Sequence, residues 1–182
     1  QFNSVTMENN MKPEAIFDHQ ENISDPEKYM ECPALHFDSF KSELDFARDN
    51  GMTVRGHTLV WHSQTPNWIF YKDYKVGGEL ADRELMLKRM ENYIKSVMEW
   101  TNENYPGLIS AWDVVNEAAA DDGGMRKSLW YETIGDDYIA KAFEFARKYA
   151  PEGTKLFYND YNSYMTNKQN DILAFLKPIA EA

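Results

Sequence analysis

The chain has 182 residues with a formal net charge of −11 and a pI near 4.8, and 43% of its residues are apolar. This composition is ample for the core of one folded domain and excludes disorder as a description of the whole chain. The negative charge argues against nucleic acid and anionic membranes as partners, because like charges repel over about a Debye length. The single cysteine, Cys32, allows no intrachain disulfide and no cysteine metal cage, and it is expected to be a small structural residue.

The first half of the chain predicts two strands and two long helices. A strand over about 2–7 leads into a polar, Pro-containing connection to residue 33, and so long a connection is typical of a functional rim. Apolar residues near helical spacing predict a helix over 38–50, and a second strand is predicted over 53–61. Asp82 is expected to cap a long amphipathic helix that ends near residue 103.

The second half continues the alternation. The run LISAWDVVNE, residues 108–117, predicts a buried strand, and a loop rich in Asp and Gly follows it. A short element over 128–134, a helix over 136–149, a strand over 155–159 and a helix from Asn167 complete the chain. No run approaches the ~20 apolar residues of a membrane span, and no signal peptide is recognised.

Four consecutive βα units predict an α/β fold with a parallel sheet in a single domain over residues 1–182. A doubly wound sheet also fits this alternation, but its phosphate-binding glycine loop after the first strand is missing. We therefore predict a (β/α)8 TIM barrel. A whole barrel needs ~250 residues, so four units represent about half of one.

Polar residues gather where the predicted strands end, which is where barrels and doubly wound sheets place their chemistry. Glu117 is the candidate general acid or base, because a carboxylic acid at the end of a buried strand, beside Trp112, can hold a raised pKa. Asn116 next to it could hold a hydroxyl group, although an asparagine that ends a strand is also ordinary turn chemistry.

A metal-dependent barrel hydrolase is an alternative, since His57 and His62 with Glu117 and Asp160 could form a ligand set. The sequence has no HxH or HExxH pattern, which favours a pair of hydrogen-bonded, mostly buried histidines instead. Aromatic residues near the strand ends could stack on sugar rings or belong to the core; they are Trp61, Trp68, Tyr158 and Tyr161.

Four longer motifs occur in order along nearly the whole chain: TMENNMKP, VRGHTLVWHSQTPNW, WDVVNEA and LFYNDYN. At this spacing they resemble the family 10 glycoside hydrolases, chiefly endo-1,4-β-xylanases. The resemblance implies a (β/α)8 barrel that cleaves the xylan backbone internally with retention of configuration. It also implies xylan and xylo-oligosaccharides as partners, no metal or organic cofactor, and a secreted or extracellular location.

Residue by residue, the resemblance assigns the acid/base role to Glu117 and contact with the sugar hydroxyl beside the cleaved bond to Asn116. It implies substrate binding for further residues at the strand ends. These are Glu8, Asn9 and Lys12 on the glycone side, His57, Trp61 and Gln64 around the sugar at the cleavage point, and Asn159, Asp160 and Tyr161 at the strand end that supports the cleft.

The chain departs from the family pattern in one respect. The family's nucleophilic glutamate lies on a later strand, in a motif resembling ITELD, which does not occur here. We therefore expect this chain to cover the second to fifth βα units, with the nucleophile supplied by a complementing barrel segment or second chain. Alone it should expose two strand edges and a hydrophobic interior face, and lack xylanase activity. The alternative is a non-catalytic xylan-binding or truncated barrel fragment.

Overall fold

Four strands form a parallel sheet in the computed structural model, which describes residues 2–181. The strands are β1 (Ser4–Val5), β2 (Thr53–Trp61), β3 (Ile109–Asn116) and β4 (Lys155–Asn159). They lie side by side in chain order, and each neighbouring pair is parallel. A doubly wound sheet reverses its strand order at a switch point, whereas barrel strands follow the chain. Gln1 and Ala182, the ends of the predicted domain, lie outside the described residues.

Helices connect the strands. They are α1 (Pro13–Ile16), α2 (His19–Ser24), α3 (Lys41–Asp49), α4 (Arg83–Asn104), α5 (Leu129–Ile134), α6 (Tyr138–Tyr149) and α7 (Thr166–Ala180). The predicted helices are all present, and Asp82 caps α4 by accepting a hydrogen bond from the backbone of Leu85 at 2.9 Å. The long polar connection contains α1 and α2, which are too short to leave a periodic pattern in the sequence.

The core lies between the sheet and its helices. Helix α4 buries one face at helical spacing, with Met86, Met90 and Ile94 fully enclosed. On the same helix the buried guanidinium of Arg89 donates hydrogen bonds of 2.7 to 2.8 Å to loop carbonyls; they belong to Met30, Ile69, Tyr71 and Lys72. Helix α4 therefore fixes the loops around the strand ends as well as the core. Among the helices of residues 2–181, none is both long and apolar enough to cross a membrane.

The face of the sheet turned away from these helices is polar. Val54 and Val114 belong to the core, whereas Arg55 and Asp113, their neighbours along the strands, meet on the opposite face. On the four described strands, Phe157 is the only exposed large apolar side chain, at 38%. The prediction that this interior face is hydrophobic is therefore wrong, because charged residues occupy its centre.

Candidate active site

A cleft of about 610 Å³ lies at the carboxyl ends of the strands. Its lining residues are Thr6, Met7, Glu8, Lys12, Arg55, His57, Trp61, Asp113, Asn116, Glu117 and Asn159. Seven of the predicted site residues are in this lining, because parallel strands deliver the residues that follow them to one edge of the sheet.

Glu117 follows β3 directly and is half-buried in the cleft wall. Its backbone has a left-handed φ of 54°, its N–H donates to the carbonyl of Asn159 at 2.8 Å, and its carbonyl accepts from Arg126 Nε at 3.1 Å. The Trp61 indole N–H donates to its Oε2 at 2.9 Å. A left-handed glutamate is costly and persists only where its surroundings hold it, so the orientation of this carboxylate is built into the fold.

Trp61 is thus the aromatic neighbour of Glu117, and the prediction that Trp112 lies beside Glu117 is wrong. Trp112 pairs with Gly56, and it lies five residues before Glu117, which corresponds to about 16 Å along a strand. It also lines a separate cavity of about 330 Å³ with Tyr105 and Gly107, at the opposite end of β3.

Lys12, Asn9 and Gln64 form a second group at the cleft. Lys12 is only 7% exposed, and its Nζ donates to Gln64 Oε1 at 2.7 Å and to Asn9 Oδ1 at 3.1 Å. The Gln64 amide also donates to Asn9 Oδ1 at 3.1 Å, and Lys12 Nζ lies 4.8 Å from the centroid of the Trp61 ring. An ammonium group with three donors and two neutral acceptors retains one N–H for a hydroxyl group.

Sequence reasoning missed a charged group formed by Arg55, Asp113 and His57. Arg55 Nε lies 3.0 and 3.1 Å from the two carboxylate oxygens of Asp113, and His57 Nδ1 lies 2.9 Å from Oδ2. Burial of Asp113 raises its pKa, but hydrogen bonds from His57 and Arg55 outweigh burial and hold the pKa below its ordinary value. An aspartate inside an apolar strand was the available signal, because a buried carboxylate requires partners.

The Asp113 contacts predict acid sensitivity. Because the pKa of Asp113 is depressed in the folded state, its stabilising contribution is fully present above about 4, the unfolded value, and is lost as pH falls through the lower folded value. Urea unfolding of the complete protein between pH 6 and pH 2 should show this loss. Asp113→Asn should be less stable at neutral pH and lose less on acidification. If the free energy of unfolding of the wild type and of Asp113→Asn fell in parallel with pH, this prediction would be contradicted.

The two histidines occupy different environments. The His57 side chain is 18% exposed and hydrogen-bonded, as expected, whereas His62 is exposed and the expectation of burial is wrong for it. Partial desolvation and the Arg126 charge lower the pKa of His62, which keeps its imidazole neutral near pH 7. Among residues 2–181, no group of three or more His, Cys, Asp or Glu side chains could hold a metal ion.

The end of β4 places its three predicted residues differently. The Asn159 amide lines the cleft and hydrogen-bonds Asn116 Oδ1 at 2.8 Å. The Asp160 side chain is only 1% exposed, lies 3.0 Å from Lys168 Nζ and is not among the residues that line the cleft. Tyr161 is 38% exposed and its hydroxyl donates to Asp121 at 2.6 Å, outside the cleft lining. Cys32 is exposed and free, contrary to its expected structural role.

Consecutive parallel βα units whose strand ends surround a cleft with a half-buried glutamate define the active-site end of a (β/α)8 barrel. The sequence model of the family described as Glycosyl hydrolase family 10 matches residues 1–182, and the chain belongs to this family.

Individual proteins show the same relationship. The chain is 53% identical over 173 residues to endo-1,4-beta-xylanase B of Butyrivibrio fibrisolvens, a match that covers 95% of this chain and 27% of that protein. The solved N-terminal endo-1,4-beta-D-xylanase 10B of Clostridium thermocellum, in complex with xylohexaose, has a TM-score of 0.91 and 36% identity, covering 100% of this chain and 37% of that one.

An intracellular xylanase of Thermoanaerobacterium saccharolyticum, solved as a mutant in complex with xylotriose, has a TM-score of 0.86 and 35% identity; the match covers 100% of this chain and 52% of that one. The chain therefore spans about a quarter to a half of the length of these relatives. The expected partial (β/α)8 barrel is confirmed.

Proposed function

We propose that the protein carrying this chain is a retaining endo-1,4-β-xylanase in which Glu117 is the acid/base. The observation that carries this proposal is the position of Glu117, held by Trp61 and by backbone bonds at the wall of a strand-end cleft. The relatives named as xylanases, two of them in complex with xylo-oligosaccharides, support xylan as the substrate.

Sugar hydroxyls would meet neutral amides and one ammonium group in this cleft. Lys12, with Asn9 and Gln64 fixed against it, would bind the glycone, and Glu8 would accept hydrogen bonds from hydroxyl groups at the rim. The donors and acceptors next to Glu117 would hold the sugar at the cleavage point; they are His57, Trp61, Asn116 and Asn159. Asp160 would support this wall and Tyr161 would lie at its outer rim.

In the proposed reaction, Glu117 protonates the glycosidic oxygen as a second carboxylate attacks the anomeric carbon, and then activates water to hydrolyse the glycosyl-enzyme. The two carboxyl groups must lie about 5 to 5.5 Å apart. Asp113 lines the same cleft, but Arg55 and His57 already occupy its oxygens. We propose that a complementing barrel segment or second chain supplies the nucleophile.

The first test compares the chain alone with the complete protein. We expect the complete protein to release reducing ends from xylan with retained anomeric configuration, and the isolated 182 residues to associate and show no turnover. A monomer of the isolated chain with normal turnover would overturn the proposed complementation. Binding of xylohexaose without hydrolysis by the complete protein would favour the alternative, a non-catalytic xylan-binding fragment.

We also propose that residues 1–182 belong to one catalytic barrel domain, since buried residues from all four βα units pack in one cluster. A secreted or extracellular location is proposed from the size of the xylan polymer, although the T. saccharolyticum relative is described as intracellular. Cell fractionation of the source organism would test the location.

A further inference from the structure

The backbone immediately after Glu117 is attached to a tyrosine on the next strand. The N–H groups of Ala118 and Ala119 both donate to the hydroxyl oxygen of Tyr158, at 2.9 and 3.0 Å. The same hydroxyl donates its proton to Asp160 Oδ2 at 2.5 Å. A phenol has one donor and two acceptor positions, so this hydroxyl is fully used in holding the turn.

A buried lysine holds the Asp160 carboxylate. Lys168 lies on α7 with its side chain 5% exposed, and its Nζ is 3.0 Å from Asp160 Oδ1 and 3.1 Å from Asp121 Oδ1. The backbone N–H of Tyr161 donates to the same Asp160 oxygen at 2.8 Å. The Lys168 ammonium and the Tyr161 N–H thus occupy Asp160 Oδ1, and Oδ2 accepts the hydrogen bond that the Tyr158 hydroxyl donates.

The Tyr158 hydroxyl keeps its proton. Burial of Tyr158, followed by its bond to the Asp160 carboxylate, raises the pKa of the phenol well above its ordinary range. The direction of every hydrogen bond from Lys168 to the Glu117 turn is thereby determined, and both alanine N–H groups find an acceptor in a site where neither residue is more than 1% exposed.

We propose that Lys168, Asp160 and Tyr158 form a positioning relay that holds the Glu117 carboxylate in the orientation for proton transfer, an inference that rests on the proposed xylanase function. All three are positioning residues, because they act on the backbone that follows Glu117. Three features meet at this turn. Glu117 has a left-handed φ, and the two N–H groups that follow it bind one oxygen, the Tyr158 hydroxyl. The carboxylate of Asp160 that accepts the hydrogen bond from Tyr158 is in turn held by a buried ion pair with Lys168.

The test separates protonation of the leaving group from binding. In the complete protein, Tyr158→Phe should lower kcat on xylohexaose by about 100-fold, the effect of an ångström-scale displacement of a reacting group. KM should change little. With an aryl xylobioside whose leaving group needs no proton, kcat/KM should change little, because this parameter reports formation of the glycosyl-enzyme and Glu117 is not required as an acid in that step.

A matched control is Tyr105→Phe. Tyr105 also bonds a carboxylate, Asp45, at 3.1 Å, but it lies at the opposite end of β3 from the cleft. It should leave both activities unchanged. On α7, Lys168→Met should reproduce the selective loss on xylohexaose, whereas Lys168→Arg, which retains a cationic donor, should restore part of it.

The outcomes distinguish the relay from the proposed function. Equal losses of kcat/KM on both substrates, or no loss, in Tyr158→Phe would overturn the relay. If Tyr158→Phe fails to fold, the Lys168→Met and Lys168→Arg pair decides, and matching activities of the two variants on xylohexaose would overturn the relay. A wild-type protein that hydrolyses neither substrate would overturn the xylanase proposal itself.

Discussion

Glu117→Ala in the complete protein is expected to lower kcat on xylohexaose by about 100- to 10,000-fold, the contribution of one general acid/base group. A sugar alkoxide is a poor leaving group, and without a proton donor at this position the glycosidic bond cannot break readily. Steady-state hydrolysis measured by product chromatography would show the loss.

The leaving group identifies the step that Glu117 serves. An aryl xylobioside with an acidic phenol should lose far less in the formation of the glycosyl-enzyme, because its phenolate departs without protonation. Glu103→Ala, at an exposed position near the end of α4, should have wild-type activity on both substrates. Equal losses of kcat/KM for Glu117→Ala on xylohexaose and on the aryl substrate would contradict the acid role.

Gly56→Ala is expected to have the largest effect on stability. A Cβ at residue 56 would lie 2.2 Å from Cε3 of Trp112, whose indole is 1% exposed and packed against this glycine. Residue 56 is paired with Trp112 across the two strands, so the backbone or the buried ring must shift, and destabilisation of about 3 kcal/mol is expected, the upper end of the usual range for overpacking. Thermal unfolding of the complete protein should begin several degrees lower.

A double-mutant cycle tests the cause of this destabilisation. Trp112→Leu removes the ring atoms that would clash, so adding Gly56→Ala to it should cost clearly less than adding Gly56→Ala to the wild type. Additive losses of stability would show that the clash with Trp112 is not the reason.

Local pattern predicted most of the fold. Strands β2 and β4 begin and end at the predicted residues, and α4 starts after its predicted cap, Asp82. Each of these features depends on residues within one or two turns of one another: alternation or continuity of apolar side chains, helical spacing, and a capping side chain three residues from its partner. The short helices α1 and α2 were not predicted, because four and six residues are too few to show a helical period in the sequence.

The candidate site was predicted in part. Glu117, Asn116 and Trp61 were recognisable because each stands at the end of a predicted buried strand, and the family motifs singled out the same positions. The expected burial of His62 and the expected neighbour Trp112 were wrong for one reason. Both predictions depend on which way a side chain points and on what lies opposite it, and the spacing of residues along one strand does not specify either.

The sequence by itself determined that this chain consists of alternating strands and helices, that polar residues follow its strands, and that one glutamate ends the WDVVNE motif. The tertiary structure alone decided which residues from different strands form hydrogen bonds with one another. Arg55 meets Asp113 across 58 residues, and Tyr158 meets Ala118 across 40. Contacts between neighbouring strands depend on their register, and register is established only when the sheet packs against its helices.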